Sequence, residues 1–301
     1  MEKVCNNPLV EKTTLAKIIL GIIVAIPLAT RKGLFRALAR LFYYLSPRQR
    51  LIAIHNLQCA FPEKGMTEIV ALTRKVYHHL AIVAAEFFEI PSLRKLDPSF
   101  IAEIEGLENC TRALEKNKGL LIMSAHFGNW EYGAALISLL VQPMMVIYRP
   151  FDSAILENLI SRVRASTGNT PLPKERATLK MFRSLARNES IGILMDQNVA
   201  AREGIFVDFF GRPACTTDGI ALLALNTEAP VIPTFMYRQK DGRYRMVLGE
   251  EVEIIRTGDM RADIVANTQK FTEIIEDIIR KYPDQWLWLH QRWKTKPCQA
   301  E

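Results

Sequence analysis

The residues best equipped for chemistry stand together in one short stretch, Ser124-Ala125-His126-Phe127-Gly128-Asn129-Trp130-Glu131. The apolar run 120–124 reads as a strand, His126 follows its end, and an apolar helical pattern opens near Glu131. In α/β sheets ligands bind beyond the carboxyl ends of strands. On one continuous helix, residues five apart would point about 140° apart. Gly128 and Asn129 favour a turn instead, which would fold Glu131 back beside His126. A carboxylate bonded to one imidazole nitrogen fixes the tautomer and frees the other nitrogen to act as a base. That base has no evident nucleophile. Neither G-x-S-x-G nor H-E-x-x-H occurs in the chain, and strand alternation does not by itself bring Ser124 to His126. A His–Glu pair then suits direct transfer, deprotonating a hydroxyl that attacks an activated acyl donor such as a thioester. The same residues also fit a histidine that only caps a turn.

Further polar residues fall at predicted strand ends. Arg149 closes one strand and Arg164 follows on a helix. Their guanidinium groups would hold phosphates or stabilise an oxyanion, or else form ordinary ion pairs, for instance with Asp196. Asp196 and Gln197 end another strand and either line the same crevice or brace Arg149. The run Phe209-Phe210-Gly211-Arg212-Pro213 would bound an acyl groove, or the two aromatic rings would be core. Trp286, Trp288 and Trp293, near Arg292, Lys294 and Lys296, form an interfacial belt or pack a C-terminal segment onto the sheet. His55, His78, His79 and His290 have no comparable context and read as surface or packing residues.

The elements that position these groups follow from period and composition. Six apolar strands are predicted at 119–125, 144–149, 191–195, 205–210, 231–237 and 244–249. They are interleaved with helices at 132–140, 154–167, 176–188, 218–226 and 262–281, and one more helix is read at 67–88. This alternation predicts one α/β domain, a central mixed, mostly parallel sheet flanked by helices. The 301 residues are 49% hydrophobic and 24% charged, which excludes a disordered tail, a collagen-like repeat and a multi-span transporter. Five widely spaced cysteines (Cys5, Cys59, Cys110, Cys215, Cys298) with no C-x-x-C argue against a disulfide framework or structural zinc and read as reduced thiols.

The N-terminus reads differently from the rest. The run 18–29 is uncharged and apolar, but as a helix it spans only about 18 Å against a bilayer core of about 30 Å, and Pro27 would kink its far end. Lys32, Arg36 and Arg40 form a basic stripe, and Leu34, Leu38, Leu41, Phe42 and Leu45 an apolar one, as in a helix lying in an anionic membrane interface. The stretch between Glu11 and Glu63 holds Lys12, Lys17, Arg31, Lys32, Arg36, Arg40, Arg48 and Arg50 and no acid, so it carries +8 of the net +7 and leaves −1 for the remainder. Residues 1–46 are therefore read as a membrane-anchor helical segment and 47–301 as the catalytic domain.

His126 and Glu131 match the H-x4-D/E signature of lysophospholipid-type acyltransferases, and SAHFGNWE resembles the branch of lipid A biosynthesis late (lauroyl/myristoyl) acyltransferases. Further blocks agree in order: HNLQCAFPE (55–63), VIYRP (146–150), MDQN (195–198), GIFVDFFGRPACTT (204–217), TEAPVIPTFMYR (227–238) and QWLWLHQRWKT (285–295). Glu228 departs from the pattern, since many relatives carry glycine there. The resemblance implies an inner-membrane enzyme whose catalytic domain faces the cytoplasm. It implies transfer of a fatty acyl chain from acyl carrier protein, or coenzyme A, to a hydroxyl of a lipid A precursor. It implies no metal and no cofactor beyond the thioester co-substrate, His126 as general base and Glu131 as its orienting partner; separately, no motif in the sequence favours a nucleic-acid partner. Other glycolipid, aminolipid or lysophospholipid acceptors, or a non-catalytic lipid-binding role, stay open at this point.

Overall fold

The computed structural model describes residues 8–174 and 177–297, with side chains from residue 15 onward; Cys5, Cys298 and the expected helix start at Arg176 lie outside the described residues. Among the described residues there are nine strands: β1 (Ala102–Glu105), β2 (Leu120–Ser124), β3 (Met144–Tyr148), β4 (Thr170–Pro173), β5 (Ser190–Leu194), β6 (Ile205–Asp208), β7 (Pro213–Thr216), β8 (Val231–Arg238) and β9 (Tyr244–Leu248). Seven build one sheet in the order β1-β9-β8-β2-β5-β3-β4, and β6 and β7 pair apart as a hairpin. Within the sheet only β8 and β9 run antiparallel. The sheet is thus mixed and mostly parallel, as predicted.

The three strands absent from the sequence reading have a common cause. β1 and β4 are the two edges of the sheet. The first is half acidic and the second holds Pro171 and Pro173, so neither carries the apolar run of a central strand. The third, β7, begins at a proline and pairs only with β6.

Among the described residues ten α-helices surround the sheet: α1 (Pro8–Ala25), α2 (Leu28–Leu45), α3 (Pro47–Ala60), α4 (Met66–Phe87), α5 (Leu107–Glu115), α6 (Trp130–Leu140), α7 (Ala154–Ala165), α8 (Thr178–Ala186), α9 (Gly219–Thr227) and α10 (Met260–Lys281). One core cluster joins α3, α4, α8, α9 and α10 through Leu57, Val76, Leu185, Ala224 and Phe271. The other joins α5, α6 and α7 through Cys110, Leu136 and Val163. The sequence reading omitted α3, whose buried face is Ala53, Asn56, Leu57 and Ala60 and so lacks a strong apolar stripe. It also omitted the short α5.

The apolar N-terminal run is not one helix. It ends α1 at Ala25, breaks at Pro27 and resumes in α2, with the two helices bent by 107°. No single helix among the described residues is long and apolar enough to cross a membrane. The packing face of α2 is Arg31, Phe35, Ala39 and Tyr43, directed at α4, where Tyr43 meets Tyr77 edge-on and Phe35 meets Phe88. Arg31 is fully buried and paired with Glu89. Lys32, expected in a free basic stripe, instead reaches the buried Glu86 at 2.6 Å. Arg36 and Arg40 remain exposed, as do Leu34, Leu38, Leu41, Phe42 and Leu45.

Candidate active site

The two central parallel strands β2 and β5 pair with Ser124 opposite Leu194. Two residues beyond each of these lie His126 and Asp196, so the register alone sets them side by side. His126 Nδ1 is 2.9 Å from Asp196 Oδ1, and the His126 backbone N–H donates to Asp196 Oδ2 at 3.0 Å. Trp286 Nε1 donates to the same Oδ2 at 2.7 Å. An ionised carboxylate only accepts, so Nδ1 carries the imidazole proton and Nε2 keeps its lone pair. Burial opposes charge on Asp196, but the facing imidazole and these N–H donors outweigh it and hold the carboxyl below its ordinary range. The His126 side chain is 21% exposed and lines a cavity of about 1540 Å³, with Gln197 Nε2 at 3.3 Å from its Nε2.

Here the structure corrects the sequence reading. Glu131 does not fold back onto His126. The backbone turn ends at Asn129, which caps α6 by accepting from the Tyr132 N–H at 3.1 Å, and Glu131 already lies in the first helical turn. Its carboxylate instead forms a bidentate pair with Arg164, at 3.0 Å from Nε and 2.6 Å from Nη2, and accepts from Trp130 Nε1 at 3.2 Å. Burial works against the charge on Arg164, yet the Glu131 carboxylate raises its pKa above the ordinary arginine value. The Trp130 indole packs against the His126 ring with centroids 5.4 Å apart.

The turn carrying His126 is locked on every side. Gly128 has φ +59°, and a Cβ there would sit 1.8 Å from the Met236 carbonyl oxygen, so only glycine fits. Its N–H donates to Gln285 O at 2.8 Å, and its carbonyl meets His79 Nε2 at 3.0 Å. His79 is buried and kept neutral by burial above all, so it serves as a positioning group for this turn. Ser124 Oγ is committed to the Thr234 carbonyl at 2.6 Å.

Arg149 lies one residue beyond β3, exposed at the cavity wall, and Arg164 and Gln197 line the same cavity. The alternative pairing of either arginine with Asp196 is not formed, since Asp196 is filled by His126 and Trp286. Gly211 and Arg212 are not brought to the cavity. They form the β6–β7 turn, where Gly211 takes φ +70° and Arg212 reaches Cys59 Sγ at 2.7 Å and lies over Trp293. Phe209 and Phe210 are core, and Trp286, Trp288 and Trp293 are buried around them rather than forming an interfacial belt. His290, read as a packing residue, also lines the cavity and accepts the Asn198 N–H at 2.8 Å. The same cavity is also lined by apolar or small residues, among them Ile122, Gly133, Ile137, Met144, Gly192 and Met236.

What this arrangement can do is orient the His126 imidazole through Asp196 at a cavity lined by both arginines and apolar side chains. The chain is 28% identical over 277 residues to the lipid A biosynthesis palmitoleoyltransferase of Escherichia coli (strain K12), covering 90% of this chain and 85% of that protein. It is 25% identical over 286 residues to the lipid A biosynthesis lauroyltransferase of the same organism, covering 93% and 90%. It is also 29% identical over 217 residues to a phosphatidylinositol mannoside acyltransferase of Mycobacterium tuberculosis, covering 69% and 66%. The family described as bacterial lipid A biosynthesis acyltransferase matches residues 7–295. This chain is therefore an acyltransferase and belongs to the bacterial lipid A biosynthesis acyltransferase family.

Proposed function

We propose that this acyltransferase moves a fatty acyl chain from a thioester, on acyl carrier protein or coenzyme A, to a hydroxyl of a lipid A precursor, in one direct transfer. The observation that carries the mechanism is the His126–Asp196 pair, which directs the proton to Nδ1 and leaves Nε2 as the accepting nitrogen, beside Gln197 at the cavity. His126 Nε2 takes the acceptor hydroxyl proton as the oxygen attacks the thioester carbonyl. The tetrahedral intermediate then collapses, the C–S bond breaks, and the imidazolium returns the proton to the leaving thiolate. An acyl-enzyme is not needed, and the engagement of Ser124 with Thr234 argues against one. Asp196 stabilises the imidazolium. Arg164, held by Glu131, and Arg149 supply cationic N–H donors for phosphate or oxyanion, and the apolar part of the cavity lining takes the acyl chain.

Residues 1–46 act in this reading as the membrane-anchoring part and 47–301 as the catalytic domain, with α1 and α2 lying in the interface rather than spanning it. The exposed leucine stripe of α2 beside exposed Arg36 and Arg40 supports this. In this reading the site lies at the cytoplasmic face of the inner membrane, next to an anionic lipid surface. Purified protein given acyl carrier protein thioester and tetra-acylated lipid A precursor is expected to form the acyloxyacyl product. No product with this acceptor, but product with a phosphorylated glycolipid such as a phosphatidylinositol mannoside, would replace the acceptor. The mycobacterial relative supports that second reading, and lipid mass spectrometry of a deletion strain separates the two.

A further inference from the structure

We infer that Glu86 is a positioning residue for the catalytic turn and that Lys32 ties this function to the seating of α2. The inference rests on the reading of His126 as the base. Glu86 ends α4, away from the cavity, with a side chain only 3% exposed. Four donors converge on its carboxylate. Lys32 Nζ at 2.6 Å and Arg238 Nη2 at 3.1 Å meet Oε1, while Asn129 Nδ2 at 2.9 Å and the Tyr244 hydroxyl meet Oε2. A buried charge is tolerated only when so satisfied.

The consequence is felt at Asn129. Its amide has two distinguishable ends, and a carboxylate can meet only the NH2 end. Glu86 therefore forces Oδ1 toward the Tyr132 N–H, the direction that caps α6. With the amide turned over, NH2 would face N–H and the first turn would loosen. Trp130 and Glu131 occupy that turn, and they are the wall of the His126 ring and the holder of Arg164. Burial and the Glu86 charge raise the Tyr244 pKa far above its ordinary value, so its hydroxyl stays a donor.

On its other side the carboxylate receives α2. Lys32 binds Glu86, and just beyond the end of α4 Glu89 binds the buried Arg31. The helix that presents the exposed leucine stripe is thus ion-paired to the same carboxylate that orients the catalytic turn.

The test uses the full-length protein. Glu86→Gln is expected to lower kcat about 10- to 100-fold, the scale of a small misplacement of reacting groups, while KM for the acyl donor stays within about twofold. Imidazole 15N shifts are expected to keep the His126 proton on Nδ1. Asn129→Ser, which still caps α6, is expected to cost a similar factor, and the double variant no more than the larger single loss. Lys32→Met keeps the carboxylate and serves if Glu86→Gln does not fold; it is expected to lower kcat several-fold and Lys32→Arg to restore it. Unchanged kcat with only a lowered melting temperature in Glu86→Gln or Lys32→Met, or multiplicative losses in the double variant, would overturn the inference. Should His126→Ala stay active, the base reading itself fails, and that outcome is distinct from these.

Discussion

Replacing Asp196 by Asn tests the chemistry most sharply, because the two side chains have nearly the same shape. Oδ2 of Asp196 serves two N–H donors, from the His126 backbone and Trp286, and Oδ1 serves His126 Nδ1. An asparagine places its one carbonyl oxygen where two donors wait and turns its NH2 toward Nδ1. The imidazole then accepts at Nδ1 and carries its proton on Nε2, where it cannot act as a base. Loss of the orienting carboxylate in a comparable constellation costs about 10⁴-fold in kcat. Some of the wrong tautomer reverts here, so about 10³- to 10⁴-fold is expected, or about 4 to 5.5 kcal/mol of barrier. The assay is acyl transfer from acyl carrier protein thioester followed by mass spectrometry, read beside imidazole 15N shifts. Asp196→Asn should move the His126 proton to Nε2, whereas Glu131→Gln should not, since Glu131 touches Arg164 and not the imidazole. Full activity with an unmoved tautomer in Asp196→Asn, or a moved tautomer in Glu131→Gln, would refute the reasoning.

Three other outcomes follow from the same geometry. Gly128→Ala pushes a Cβ into the Met236 carbonyl at a left-handed position and should cost roughly 3 kcal/mol or more in denaturant unfolding, with loss of activity. Glu228 caps α9 at φ +58°, a left-handed conformation that glycine adopts without strain. Glu228→Gly should add about 0.5–1 kcal/mol of stability with unchanged kcat, because its ion pair with Lys118 is exposed and of little worth. Burial lowers the His290 pKa from 6.5 to about 4. The unfolded chain therefore binds that proton first as pH falls through 6.5, and the protein loses about 2 kcal/mol between pH 7 and pH 5. His290→Gln, which still accepts from the Asn198 N–H, should flatten that slope in urea titrations at the two pH values.

How much of this was readable beforehand depends on the range of the interactions. The strands β2, β3, β5, β8 and β9 are central or adjacent to the centre and announce themselves as apolar runs, so the sheet and the place of His126 at a strand end were legible. The edge strands β1 and β4 were not, for acidic and proline-rich edges carry no such run. Asp196 was seen as a crevice residue, but its partner was not, because the pairing depends on the register between β2 and β5 and so on residues 70 apart in sequence. The available signal was that both residues stand just past the ends of two predicted strands. Glu131 was drawn toward His126 by its nearness in the chain, whereas the cap at Asn129 starts the helix early and sends it to Arg164. Lys32 read as a solvated stripe because nothing local reveals a buried acid on α4.

The measurement that meets the central claim most directly is the rate of acyl transfer by His126→Ala, in membranes or detergent, with its fold checked by circular dichroism. The account predicts a folded protein whose product formation falls to the background of the uncatalysed mixture. A folded His126→Ala protein that forms product at the wild-type rate would contradict it.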